Sequence, residues 1–219
     1  MGVHPIMLKE LVSDSVIRRL PRYYRCLIEM ERKGIERTSS QGLATRLGST
    51  ASQVRQDFNC FGGFGHQGYG YRVSELRAQL GKVIGLEQCK PAILIGAGHL
   101  GSVIAVNIDF SSYGFSLTGI FDSSPKLHGD VLGGLEIRPM AQLAAFCEQV
   151  HPVAAVLCIP EAAAQTVAEE LVELGIKGFW NFSHCDLEVD RSCIQVENVH
   201  MGDSLMMLSH RLHQYIAEK

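Results

Sequence analysis

No run of about eighteen or more consecutive apolar residues occurs in this 219-residue chain, so no membrane-spanning helix is expected. The opening MGVHPIMLKELVSD lacks the charged, apolar and small-residue layout of a signal peptide, and a cytoplasmic protein is expected. Paired cysteine spacings are also missing. The seven cysteines stand at 26, 60, 89, 147, 158, 185 and 193, with no CxxC, and read as reduced thiols used mostly for packing. His210 and His213 lie three apart on an expected helix, but no acidic or cysteine ligand is arranged beside them. They read as a solvated face, and no metal is expected. A large net charge is absent too, at −3, but the charge is unevenly spread. Residues 1–82 carry an excess of six positive charges and the remainder an excess of nine negative ones. That suits a basic head that meets phosphates and an acidic body that does not. With 46% hydrophobic and 20% charged residues, the chain has the composition of an ordered globular protein.

In the basic head, Arg18 to Lys33 reads as a helix. Leu20, Tyr24, Leu27 and Ile28 share one face, and Gly34 ends it. Ser39 or Ser40 can cap a second helix through Leu43, Ala44 and Leu47, closed by Gly48. Ser49 or Thr50 can cap a third, ASQVRQDFNCF, with Val54 and Phe58 facing inward. Two short capped helices joined by a tight turn describe a helix-turn-helix. Ser52, Gln53, Arg55 and Gln56 then lie on the outward side of the recognition helix, where arginine can pair with guanine and glutamine with adenine. Five glycines fall within residues 62–70 of FGGFGHQGYGYRV. Tyr69, Tyr71 and Val73 alternate as in a strand, so a β wing is expected there. A three-helix protein-interaction module is the other reading of the same pattern.

In the acidic body, KPAILI (90–95) reads as a buried parallel strand leading into Gly96-Ala97-Gly98-His99-Leu100-Gly101. This matches G-x-G-x-x-G between an expected strand and an expected helix, LGSVIAVNI. The chain returns through SLTGIF to Asp122, twenty-one residues after Gly101. Glycines let the backbone approach a pyrophosphate, the helix start offers amides, and a carboxylate at Asp122 accepts from ribose hydroxyls. An acid there disfavours a 2′-phosphate, so NAD(H) is expected over NADP(H); Lys126 softens that preference. Further α/β units follow: LEIRP, a helix from Met140 to Gln149, AAVLCIP ending at Pro160, a helix from Glu161 to Leu174 and KGFWNF. Ile159, Pro160, Asn181 and Phe182 should line the nicotinamide side. A Rossmann-like domain for coenzyme A or another nucleotide stays open as an alternative.

An NAD-dependent oxidoreductase needs a proton donor beside the nicotinamide. Pro160, Asn181 and Ser183 occupy the strand ends, and His184 is the one obvious acid, without a visible aspartate partner. No separate substrate domain follows, so a regulator is expected rather than an enzyme. From Asp203 onward, Leu205, Leu208, Leu212 and Tyr215 recur at helical spacing, widened by Met206 and Ile216. Such a stripe needs a partner surface, on its own domain or on a second subunit. The fold expected is therefore α/β: a winged helix-turn-helix domain at 1–84, a Rossmann NAD(H)-binding domain at 85–200 and a C-terminal helix at 201–219.

The segments RRLPRYYR, RTSSQGLA, QVRQDFNCFGGFGHQGYGY, ILIGAGHLG, FDSSP, AAAQ and GIKGFWNF, with the helical tail, resemble the Rex family of redox-sensing transcriptional repressors. The resemblance runs through nearly the whole chain in order. It implies a homodimer with a domain-swapped C-terminal helix that binds double-stranded operator DNA and releases it on binding NADH, with NAD⁺ competing. By position it implies DNA-contact roles for Arg37, Ser40, Gln53, Arg55 and Tyr71, and cofactor roles for Gly96, Gly98, Gly101, Asp122, Pro160 and Asn181. Three positions, Gln56, Asn107 and His200, depart from the family pattern. Gln56 stands where a basic residue is common, Asn107 where a tyrosine is common, and His200-Met201 where an aspartate and an apolar residue are common. In the family that tyrosine and aspartate join an arginine, matched here by Arg25, in a linkage that senses the ligand. The departures imply a weakened or rewired NADH response.

Overall fold

The computed structural model describes residues 12–62, 64 and 70–217, and the chain divides into two compact units, Met1–Glu87 and Gln88–Lys219. In the first unit a short helix α1 (Asp14–Ile17) precedes α2 (Leu20–Arg32). The helix expected from Arg18 to Lys33 thus starts at Leu20 and runs unbroken to Arg32, with Pro21 in its first turn. Strand β1 (Arg37–Thr38) leads to α3 (Ser40–Leu47) and α4 (Ala51–Asn59). The Ser39 hydroxyl accepts the Gly42 amide at 3.0 Å and the Thr50 hydroxyl accepts the Gln53 amide at 3.1 Å, so each helix starts at a capping side chain. Left-handed Gly48 closes α3 and turns the chain into α4.

Strand β2 (Tyr71–Arg72) pairs antiparallel with β1, with Thr38 opposite Tyr71. The close approach is made by Gly70: its φ is +68°, and a Cβ there would lie 2.5 Å from the Thr38 carbonyl oxygen. Most of the glycine-rich stretch expected as the wing, including Tyr69, lies outside the described residues. At Val73 the structure corrects the sequence reading. Rather than continuing a strand, Val73 begins helix α5 (Val73–Ile84) and is buried. Leu20, Tyr23, Leu27, Leu43, Val54, Phe58, Val73, Leu76 and Leu80 make one core beneath the helix-turn-helix.

The second unit alternates strands and helices: β3 (Lys90–Ile95), α6 (His99–Asn107), β4 (Phe115–Asp122), β5 (Val131–Leu132), β6 (Leu135–Pro139), α7 (Leu143–Val150), β7 (Ala154–Leu157), α8 (Glu161–Glu173), β8 (Gly178–Asn181), β9 (Gln195–Asn198) and α9 (Met201–Ala217). The sheet order is β5-β6-β4-β3-β7-β8-β9, parallel throughout except for the β5–β6 edge pair. Successive residues of β3 serve opposite faces, so its buried stretch, Ala92 to Ile95, is apolar at every position. Ile93 and Ile95 pack with Phe121, Leu157, Phe146 and Leu171 on one side. Leu94 packs with Ile104, Ile120 and Val156 on the other. Strand order reverses between β3 and β7, which places the crevice of a doubly wound sheet beyond the ends of those two strands. Strand β7 ends at Leu157, short of the expected Pro160, which instead precedes the first residue of α8.

Candidate functional site

The β3–α6 turn is shaped by three glycines with different physical demands. Gly96 has φ +95°, and a Cβ there would lie 2.5 Å from the Cys158 carbonyl oxygen, so the turn excludes any side chain. At Gly101 a Cβ would come within 1.8 Å of the Gly96 oxygen, so this glycine lets α6 begin hard against the strand. Gly98 differs: its φ is −65° and nothing lies within 4 Å of a Cβ placed there. The space over Gly98, at the amide-rich start of α6, is open, which leaves room for a pyrophosphate to approach the backbone. Gly98 and His99 are exposed and Leu100 is half-buried, while Ala97 is buried with its amide donated to Asp122 Oδ2 at 2.7 Å. The second carboxylate oxygen accepts the Ser124 amide at 2.7 Å, and the Asp122 carbonyl contacts His128 Nε2 at 2.9 Å. Asp122 therefore braces the glycine turn while holding a carboxylate where β4 ends. Lys126 is exposed a few residues on.

Across the crevice, Pro160 is exposed at the start of α8. Asn181 is placed otherwise than its assignment to the cofactor would suggest, because it is only 1% exposed and its side chain is fully engaged. Its amide donates to the Cys185 carbonyl at 2.7 Å and to Asn198 Oδ1 at 2.9 Å, and its oxygen accepts the Ser183 amide and hydroxyl at 3.0 and 2.6 Å. It can order the 181–185 turn rather than reach a ligand with its own amide. From Asn198 the polar chain continues to Asp186 at 2.8 Å, which His200 Nε2 approaches at 3.8 Å. The rings of His184 and His200 are 6.0 Å apart. These contacts run from the end of β8 to the root of α9.

On the first unit, Arg55 and Gln56 are exposed on α4 with Ser52, and Arg37 is exposed on β1. Ser40 is buried, its hydroxyl 3.0 Å from the Tyr71 hydroxyl, so it holds Tyr71 in place. Tyr71 also packs edge-on against Phe58 at 5.5 Å. Gln53 is half-buried and donates its side-chain amide to Asp57 Oδ1 at 2.9 Å. Asp57 is the residue that sequence reasoning missed. It is fully buried on α4 and accepts from Arg19 Nε at 2.6 Å, Arg19 Nη2 at 2.8 Å and the Tyr23 hydroxyl at 2.7 Å, as well as from Gln53. Burial is the largest influence on its carboxyl and pushes its pKa up. The bonds from Arg19, Tyr23 and Gln53, with the Arg19 charge, outweigh it and leave the carboxyl below the ordinary range. Arg22 is also committed internally, donating to the Leu47 carbonyl at 3.0 Å.

The remaining expected positions lie on helices. Arg25 is exposed on α2. Asn107 is exposed at the end of α6 and folds its amide back onto the Val103 carbonyl at 2.9 Å. Met201, the first residue of α9, is 54% exposed. No three His, Cys, Asp or Glu side chains converge as a metal site among the described residues. Three thiols are pushed up by burial: Cys26, Cys147 and Cys158, the last to about 12. No helix of the described residues is long and apolar enough to cross a membrane.

A winged helix-turn-helix joined to a doubly wound unit with a dinucleotide-type glycine turn defines a ligand-responsive DNA-binding regulator. Residues 11–59 match a family model described as a putative DNA-binding protein N-terminus, and residues 87–185 match one described as a CoA binding domain. The redox-sensing transcriptional repressor Rex of Caldanaerobacter subterraneus subsp. tengcongensis is 49% identical over 206 residues, covering 94% of this chain and 92% of the relative. The repressor of the same name from Clostridium botulinum strain Eklund 17B is 44% identical, covering 93% and 96%. Among solved structures, RSP, a Rex-family repressor, in complex with β-NADH is 42% identical with a TM-score of 0.87, covering 94% of this chain and 97% of that one. RSP with β-NAD⁺ and operator DNA is 45% identical, also at 0.87, covering 94% of each. The chain belongs to the Rex family of redox-sensing transcriptional repressors.

Proposed function

We propose that this protein is a cytoplasmic homodimer that binds operator DNA and represses transcription, with its affinity for DNA set by the NADH/NAD⁺ ratio. The observation that carries the reading is the open space over Gly98, framed by Gly96 and Gly101 and faced by the Asp122 carboxylate. The nicotinamide, when bound, supplies a redox signal, since its oxidised ring is cationic and its reduced ring neutral. The chain's part is to hold the nucleotide. Gly96 to Gly101 would receive the pyrophosphate on backbone amides, Asp122 would accept from the ribose, and Pro160 with the turn ordered by Asn181 would bound the nicotinamide side. Asp122 favours free ribose hydroxyls, which supports NAD(H) over coenzyme A, whose ribose carries a phosphate. The domains proposed are 1–84, 85–200 and 201–219. In the first, Arg55 and Gln56 would meet the major groove beside Gln53. Arg37 and Tyr71, the latter placed by Ser40, would contact the flanking DNA.

The test is a fluorescence-anisotropy titration onto a palindromic AT-rich duplex with NADH, with NAD⁺ and without ligand. Loss of DNA affinity with NADH alone is the expected result. Equal affinity in all three would remove the redox reading. A second reading, a weakened NADH response, is favoured by Asn107. Its amide is turned onto its own helix, and Asn107 and His200 stand where the family joins a tyrosine and an aspartate to the arginine matched by Arg25. That reading expects bound NADH with little DNA release.

A further inference from the structure

We propose that Asp57 is a positioning residue that fixes which way Gln53 presents its amide to DNA, and so sets the base preference at the position Gln53 reads. The inference rests on α4 being the DNA-reading helix. Gln53 lies on the flank of α4, between buried Asp57 one turn on and the exposed Ser52–Arg55–Gln56 surface. Its Nε2 donates to Asp57 Oδ1 at 2.9 Å. The O and N of a glutamine amide are ordinarily hard to tell apart, but here chemistry decides. A carboxylate paired with Arg19 can only accept, so the nitrogen must face Asp57.

One N–H is then spent on Asp57, and the second N–H and the Oε1 remain. Those two form the donor–acceptor pair that matches the N7 and N6 of adenine. A glutamine free to flip would offer that pair in one orientation only and would lose rotamer freedom on meeting DNA. Here the choice is made when the head folds. Asp57 can hold it because it is itself held: Arg19 grips both carboxylate oxygens and Tyr23 bonds one of them. A surface aspartate would swing with its glutamine, but this one is 0% exposed.

The experiment is base-preference profiling. The full-length protein is equilibrated with duplexes randomised within each half-site, and bound sequences are compared for wild type, Gln53→Ala, Asp57→Asn and the double variant. Gln53→Ala is expected to flatten an adenine preference at one position per half-site by roughly tenfold or more, the scale of one bidentate contact. Asp57→Asn is expected to flatten the same position while the other positions keep their ranking, and the double variant should be no flatter than Gln53→Ala. A uniform loss of affinity in Asp57→Asn, with the preference at that position intact, would overturn the proposal and leave Asp57 a structural residue. Failure of the wild type to select any sequence would instead overturn the DNA-reading assignment of α4. If Asp57→Asn does not fold, the wild-type protein decides. In the DNA-free state the Gln53 side-chain amide, assigned by its loss in Gln53→Ala, should show one proton shifted and slow to exchange. Amide resonances averaged like those of an exposed glutamine would reject the proposal.

Discussion

The three glycines of the β3–α6 turn make a contrast that single substitutions can expose. At Gly101 an added methyl would sit 1.8 Å from a backbone oxygen, so Gly101→Ala must displace α6 and is expected to destabilise the second unit by about 2 kcal/mol or more. At Gly98 the space is open and φ is ordinary, so Gly98→Val should leave the thermal midpoint nearly unchanged while weakening NADH binding more than about tenfold. Thermal melts beside a fluorescence titration of NADH separate the two outcomes. Asp57 carries a second residue-scale expectation. Its folded carboxyl titrates below its unfolded value, so its stabilisation is complete above about pH 4 and is lost as pH falls through the lower folded pKa. Urea midpoints measured from pH 5 to pH 2 should therefore fall more steeply for the wild type than for Asp57→Asn. Parallel curves would show that Asp57 adds no acid-linked stability.

Among the elements, α9 stands apart. Leu205, Met206, Met207, Leu208, Leu212, Tyr215 and Ile216 are each half or more exposed along it in the single chain. A helix with that much uncovered apolar surface needs a second copy to bury it. Leu208→Glu with Leu212→Glu is expected to convert the dimer to monomer by analytical ultracentrifugation, with the far-ultraviolet spectrum of the two folded units largely kept. The helices were the legible part of this molecule. Ser39, Thr50 and Gly48 marked α3 and α4 because capping chemistry is local, and G-x-G-x-x-G marked the β3–α6 turn in part because Gly101 answers a clash with Gly96 inside the turn itself. Strands β1, β2 and β5, of two residues each, carry no period to read. Helix α5 was hidden because Tyr71 and Val73 share the alternation of a strand, whereas Val73 turns inward from a helix start. Asp57 could not be picked out from the sequence, since its arginine partner lies 38 residues earlier and its tyrosine 34. Asn181 was found by the rule that ligands gather at strand ends, but the rule could not foresee that its side chain would be spent on its own turn.

Over the whole molecule, charge is divided between a basic head and an acidic body, yet not every arginine of the head faces outward. Arg19 is half-buried and bound to Asp57, while Arg22, exposed, donates to the end of α3, and Arg37 and Arg55 are also exposed. Operator affinity should fall steeply with salt. Arg55→Ala should lower the slope of log affinity against log salt by about one unit if Arg55 meets a phosphate. If it reads a base instead, the loss should fall on one operator position with the slope little changed. The exposed face of α9 has a consequence beyond the interface itself. Where only a second copy can cover a surface, pairing follows mass action. Below the concentration at which pairs persist, operator occupancy then falls with the square of the number of molecules in the cell. Dilution by growth would lift repression abruptly, so the supply of repressor and the state of the nicotinamide pool would act as two inputs to one gate.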